Sequence, residues 1–158
     1  MVCNIVFIIG VILVTVFMVY LTKWATNKTT KYPFESWEKS DLPFITIYVQ
    51  GHSLNMITDS AAAVSIIRKD ALKNLSYEPS TRVVNLSALT DEGINSEVVV
   101  IPISINGKVI KTDFMVYDSD DIACFRRHGI IIDGLFGAEF FKATKGLIDF
   151  SNQTVKFS

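Results

Sequence analysis

Between Asn55 and Ile67 the chain reads Asn-Met-Ile-Thr-Asp-Ser-Ala-Ala-Ala-Val-Ser-Ile-Ile. An apolar run delivers one acid, Asp59, into a turn of Ser60, Ala61 and Ala62, and β-branched residues then resume. The alternation predicts a strand over Leu54–Thr58 that ends at the acid, and another that begins at Ser65. A carboxylate set among apolar neighbours is costly to bury unless it is paired or hydrogen-bonded, so Asp59 is a candidate for chemistry. The plainer alternative is an ordinary turn aspartate. Apolar runs on both sides weigh against it.

The remaining pattern is one of short strands. Phe44–Val49 alternates and is rich in β-branched and aromatic residues, and Gln50-Gly51-His52 reads as a turn. Arg68–Leu75 reads as a short helix. Val83–Ala88 and Glu97–Ile105 read as strands, with the turn-forming loop Leu89–Asn95 between them. Asn106-Gly107 is the strongest hairpin signal in the chain and joins Ile101–Ile105 to Val109–Tyr117. Gly129–Asp133 is a further strand, followed by Gly134-Leu135-Phe136-Gly137. Ala138–Thr144 reads as a short helix, and Leu147–Phe150 with Thr154–Phe157 as a closing hairpin. Many short strands at close spacing predict an all-β fold, a small closed barrel with one or two short helices.

The N-terminus differs in kind. Ile5–Leu21 is uncharged and almost wholly apolar, and with Val2 and Cys3 it reaches roughly 20 residues, the length of a membrane-crossing helix. Tyr20 and Trp24 stand where interfacial aromatics belong, and Lys23 closes the run. A cleaved signal peptide would need a basic start, a shorter core and a small-residue cleavage site, none of which is present. A soluble core helix would show a polar face at helical spacing. The reading is therefore an uncleaved single-pass anchor over residues 1–22, a polar tether over 23–40 and a domain over 41–158. Lys23, Lys28 and Lys31 favour a cytoplasmic domain by the positive-inside tendency. The Asn-x-Ser/Thr sequons at Asn27, Asn74, Asn85 and Asn152 carry weight only for a lumenal one. Cys3 and Cys124 are the only cysteines, so the domain has no internal disulfide. A net charge of −1 gives no sign of a nucleic-acid partner.

The segment Asp59-Ser60-Ala61-Ala62 resembles the active-site loop of retroviral-type (retropepsin-like) aspartic peptidases, usually Asp-Thr-Gly-Ala or Asp-Ser-Gly-Ala. A second segment, Ile130-Ile131-Ile132-Asp133-Gly134-Leu135-Phe136-Gly137-Ala138-Glu139, resembles the family's late strand and small-residue turn that open a helix. Gly137 is the matching glycine, and Glu139 stands where Asp or Asn is usual. The resemblance covers about Leu42–Phe157. It implies a water-activating pair of carboxylates, the arrangement for which aspartic proteases are the standard example. One lobe supplies one such loop, so it also implies a twofold homodimer in which each subunit contributes Asp59. Ser60 matches the residue that braces the two loops across the dimer axis. Leu86–Val98, with Leu89, Thr90, Asp91, Glu92 and Gly93 at its tip, matches the flap hairpin over a peptide or protein substrate. No cofactor or metal is implied.

Ala61 replaces the family glycine and adds a methyl where the site is most crowded. Alanine is tolerated if φ stays negative, and otherwise strained. A second reading is thus a catalytically inactive dimerisation or peptide-binding module of the same fold, holding an extended peptide by strand addition. Other candidates read as structural. Asp133 before Gly134 is a turn residue. Cys124 and His128 are four apart but lack further ligands. His52 has no motif around it, Arg126-Arg127 reads as a solvated pair, and Asp118–Asp121 lacks the glycine and distal Glu of a calcium loop.

Overall fold

The structure is a computed structural model that describes residues 12–20, 29–35, 43–82, 84–86, 94–117, 126–127 and 130–158. Residues 12–20 are helical with every side chain exposed, and the rest of the anchor segment lies outside the described residues. Among the described residues no helix is long and apolar enough to cross a membrane.

The strands in chain order are β1 (Thr30–Pro33), β2 (Phe44–Val49), β3 (His52–Thr58), β4 (Ser65–Arg68), β5 (Glu78–Pro79), β6 (Val84–Leu86), β7 (Ile94–Ser96), β8 (Val98–Ile105), β9 (Lys108–Tyr117), β10 (Arg126–Arg127), β11 (Ile130–Ile131), β12 (Gly134–Phe136), β13 (Leu147–Asp149) and β14 (Thr154–Phe157). The helices are α1 (Lys69–Leu72) and α2 (Ala138–Ala143). Seven strands form one sheet in the order β2-β3-β12-β4-β9-β8-β5, and β1-β14-β13 form a second. Among the described residues the larger sheet is a curled half-barrel running from edge β2 to edge β5, where strand count suggests a closed barrel. Closure needs pairing between edge strands, which the spacing of strands along a sequence does not encode.

Turn chemistry sets the two long hairpins. Asn106 and Gly107 take φ of 54° and 75°, the geometry that an Asn-Gly turn supplies at least cost. Gln50 and Gly51 do the same at 52° and 85°. Gln50 is a poor left-handed residue, but its side chain is held. Its Nε2 donates to Ser76 O at 2.8 Å, and its Oε1 accepts from Ser76 N–H at 2.7 Å. His52, expected in the turn, is the first residue of β3.

Thr30–Pro33 lies within the stretch read as tether, yet it pairs antiparallel with β14. Phe34, just after it, is buried in the core. That core lies between the large sheet and the small sheet with α2. Phe136, Phe140, Phe114 and Phe157 are its largest fully buried side chains. Phe136 and Phe140 stack at 3.9 Å, and Phe157 meets both edge-on, at 6.4 and 5.3 Å. Such pairs add about 0.5–1.5 kcal/mol beyond area burial. They fasten β12 and α2, the elements beneath the Asp59 loop, to the closing strand.

The closing hairpin carries a pH-sensitive tie. Asp149 Oδ2 accepts from Lys156 Nζ at 2.7 Å and Asn152 Nδ2 at 2.9 Å, and Oδ1 accepts from Asn152 N–H at 3.1 Å. The Lys156 hydrogen bond, then those from Asn152, lower the Asp149 pKa from 3.8 to about 2. A lowered folded-state pKa contributes stability above the unfolded value that disappears as pH falls through the folded one. The expected result is that wild type is more stable than Asp149→Asn at pH 5 and that the gap closes between pH 3.8 and about 2. Urea unfolding of both proteins across that range is the check, and a gap independent of pH would refute it.

Candidate active site

Asp59 sits just past the end of β3, on a loop held from both sides. Before it, Thr58 is buried, and both its N–H and its Oγ1 donate to Pro43 O at 2.8 Å. Asp59 N–H donates to Phe136 O at 3.1 Å. After it, the chain turns back into β4. The strand β12 is threaded between the two arms, parallel to β3 and antiparallel to β4. A loop with a strand clamped between its arms is fixed by backbone hydrogen bonds, which is what a site must have to hold a reacting group.

The carboxylate is oriented by its own turn. Oδ1 accepts from Ala61 N–H at 2.9 Å and from Ala62 N–H at 3.3 Å. Among the described residues Oδ2 takes no hydrogen bond from the protein. Ile57, two residues before Asp59, packs with Phe44 and Ile132 in a second apolar cluster, with Leu135, Ile66, Ile130 and Tyr117 half-buried against it.

Ser60 and Ala61 are exposed, and Ala62 is half-buried. The non-glycine residues with positive φ among the described residues are Gln50, Asn106, Lys145 and Gln153. Ala61 is not one of them, so its methyl imposes no left-handed strain.

The second motif meets the first directly. Ala138 N–H donates to Ala62 O at 2.7 Å, and Gly137 N–H donates to the buried Ser65 Oγ at 3.0 Å. A Cβ on Gly137 would lie 2.5 Å from Val64 O, so the absent side chain is what lets α2 approach the loop. Asp133 is tied to the backbone on both sides. Its Oδ2 accepts from Asn55 N–H at 2.8 Å, and its backbone accepts from Arg68 N–H at 2.8 Å. Half-burial raises its pKa, opposed by the Asn55 hydrogen bond and the Arg68 charge.

The flap tip Leu89, Thr90, Asp91, Glu92 and Gly93 lies outside the described residues, as do Asp118–Asp121, Cys124 and His128. The strands that flank the tip, β6 and β7, pair antiparallel with Leu86 opposite Ile94. Ile94 and Asn95, which the sequence pattern assigns to the loop, belong to β7. Among the described residues no group of three or more His, Cys, Asp or Glu side chains could hold a metal ion. Sequence reading missed Ser65, Thr58 and Arg82. Arg82 makes a forked ion pair with Glu139, and their separation of 57 residues leaves no local signal.

The geometry finds a counterpart among solved structures. The chain is similar to a retropepsin-like aspartic protease from Rickettsia conorii at 15% identity and a TM-score of 0.51, covering 82% of this chain and 89% of that one. It also aligns with the retroviral protease-like domain of Ddi1 from Leishmania major at 14% identity and a TM-score of 0.49, covering 74% and 88% respectively. No protein-family model matches the sequence, and no curated protein is similar enough to count as a relative. The fold is that of a retropepsin-like domain.

Proposed function

We propose that the chain is an aspartic endopeptidase whose catalytic pair forms across a homodimer, each subunit giving one Asp59. The observation that carries the reading is the Asp59 carboxylate itself, anchored through Oδ1 by two backbone N–H groups while Oδ2 accepts none among the described residues, on a loop clamped by β12. Two such acids brought together share a proton. One takes a proton from water, and the other donates to the scissile carbonyl. The apolar cluster that includes Ile57, two residues before Asp59, supports apolar side chains in an extended peptide substrate. The hairpin β6–β7 is placed in the chain where a flap belongs. Ser60, exposed on the loop, braces the partner loop. Membrane tethering is supported by the apolar run Ile5–Leu21 and by the wholly exposed helix 12–20, and a cytoplasmic domain by Lys23, Lys28 and Lys31.

One chain holds one Asp59 loop, so activity requires association. Tethering raises effective concentration and supports an intrinsically weak dimer. The full chain in detergent, assayed at mildly acid pH, is expected to cleave peptides with a specific activity that rises with protein concentration. A statine-type inhibitor is expected to block it. Activity constant down to a proven monomer overturns the shared dyad. Inhibitor binding by a dimer that hydrolyses nothing identifies instead the peptide-binding module.

A further inference from the structure

We propose that Arg82 is a positioning residue that braces the root of the β6–β7 hairpin against the first turn of α2, and so sets that hairpin relative to the Asp59 loop. The inference rests on the peptidase reading for its kinetic consequence and on geometry for the brace. Arg82 precedes β6 by two residues. Its Nη1 donates to Asp113 Oδ2 at 2.9 Å and to Glu139 Oε2 at 3.0 Å, and its Nη2 donates to Glu139 Oε1 at 3.0 Å. The guanidinium is therefore bidentate on one carboxylate and shared with a second, a geometry that fixes direction as well as distance and that lysine cannot reproduce.

Both ends of the brace are tied down. At the hairpin end, Arg82 N–H donates to Ser80 Oγ at 3.2 Å, and Ser80 Oγ–H donates to Asp113 Oδ1 at 3.0 Å on β9. Ser80 N–H donates to Val98 O at 2.9 Å, two residues beyond β7, so both roots of the hairpin are gathered at one point. At the other end, Glu139 follows Gly137 and Ala138, whose N–H groups bond Ser65 Oγ and Ala62 O. Ala62 N–H in turn bonds Asp59 Oδ1. A short run of chain and hydrogen bonds thus leads from the hairpin root to the catalytic acid. The side chains of Arg82, Asp113 and Glu139 are 47%, 27% and 46% exposed. Half-exposed ion pairs contribute little to global stability, so such a network is better placed to set local geometry than to hold the fold.

The test uses the full chain in detergent, with Arg82→Gln, Glu139→Gln, the double variant and Arg82→Lys. Lys111→Ala, which breaks the exposed Lys111–Glu78 pair at 3.1 Å, is the control. Arg82→Gln and Glu139→Gln are each expected to raise KM about tenfold with kcat changed less than about twofold, because a peptide is held less well in a mispositioned site. The double variant matches the singles, Arg82→Lys recovers part of the loss, and Lys111→Ala matches wild type. Hydrogen exchange in Arg82→Gln is expected to quicken at 84–86 and 94–96 and at Ala62 and Ala138, but not in β2 and β3. If wild type cleaves no peptide, the peptidase reading fails alone and the exchange pattern still decides the brace. Unchanged exchange in the hairpin, equal acceleration throughout the fold, or additive single effects on KM overturns it.

Discussion

Asp59→Asn is expected to abolish peptide hydrolysis while leaving the fold intact. Asparagine has nearly the shape of aspartate, and its Oδ1 can still accept from Ala61 and Ala62 N–H, so the loop keeps both of the hydrogen bonds that orient the residue. What disappears is the capacity to take a proton from water or to share one with the partner acid. General acid–base catalysis contributes about 10²–10⁴-fold, and here the substitution removes both members of a dyad, so a loss of at least about 10³-fold is expected. Stability should change by no more than about 0.5 kcal/mol, as for a partly exposed residue whose contacts persist. The comparison is hydrolysis by purified wild type and variant, with urea unfolding to confirm equal folding. Equal rates in two well-folded proteins remove Asp59 from the mechanism and the aspartic-peptidase reading with it.

Local pattern carried much of this fold. β2 spans the residues that its alternation marks, and the β8–β9 hairpin turns at the Asn106-Gly107 dipeptide that its composition indicates. The loop around Asp59 was legible because its signal is contiguous: an apolar strand, an acid, small residues, then another strand. The role of β12 was harder to see. Gly134-Leu135-Phe136 is short and begins with a glycine, so it reads as a turn, yet it forms the strand that separates β3 from β4. A Cβ on Gly134 would lie 2.3 Å from Ile66 O, which explains the glycine by close strand packing. β1 was hidden for a different reason. Thr30-Lys31-Tyr32-Pro33 is mostly polar, as suits a strand at the edge of its sheet, with proline as its last residue. Arg82 and Ser65 lay beyond local reading, since their partners are separated by 57 and 72 residues and only the tertiary fold brings them together.

Gly137→Ala is expected to be strongly disruptive, and for a reason separable from backbone freedom. Gly137 has φ −91° and ψ −178°, a conformation open to alanine, so no dihedral strain is at stake. The obstacle is steric. The new Cβ would stand 2.5 Å from Val64 O, 2.6 Å from Val64 C and 2.9 Å from Ala62 O. These are backbone atoms and cannot rotate aside. Relief requires α2 to withdraw from the Asp59 loop, lengthening the 2.7 Å bond from Ala138 N–H to Ala62 O and the 3.0 Å bond from Gly137 N–H to Ser65 Oγ. Overpacking of this kind costs about 1–3 kcal/mol and more where backbone must move, so a loss of about 3 kcal/mol or greater is expected. Gly51→Ala and Gly107→Ala provide the contrast. A Cβ at either would meet nothing within 4 Å, but φ is +85° and +75°. Their cost is conformational, about 1–2 kcal/mol, and both lie in turns outside the Asp59 loop. Urea midpoints for the three variants measure the stability difference. Hydrolysis rates, taken where each remains folded, separate the site from the fold: Gly137→Ala should lose activity beyond its loss of folded population, and the two turn variants should not. A Gly137→Ala protein with the stability and rate of wild type would show that α2 does not approach the Asp59 loop as closely as this packing requires.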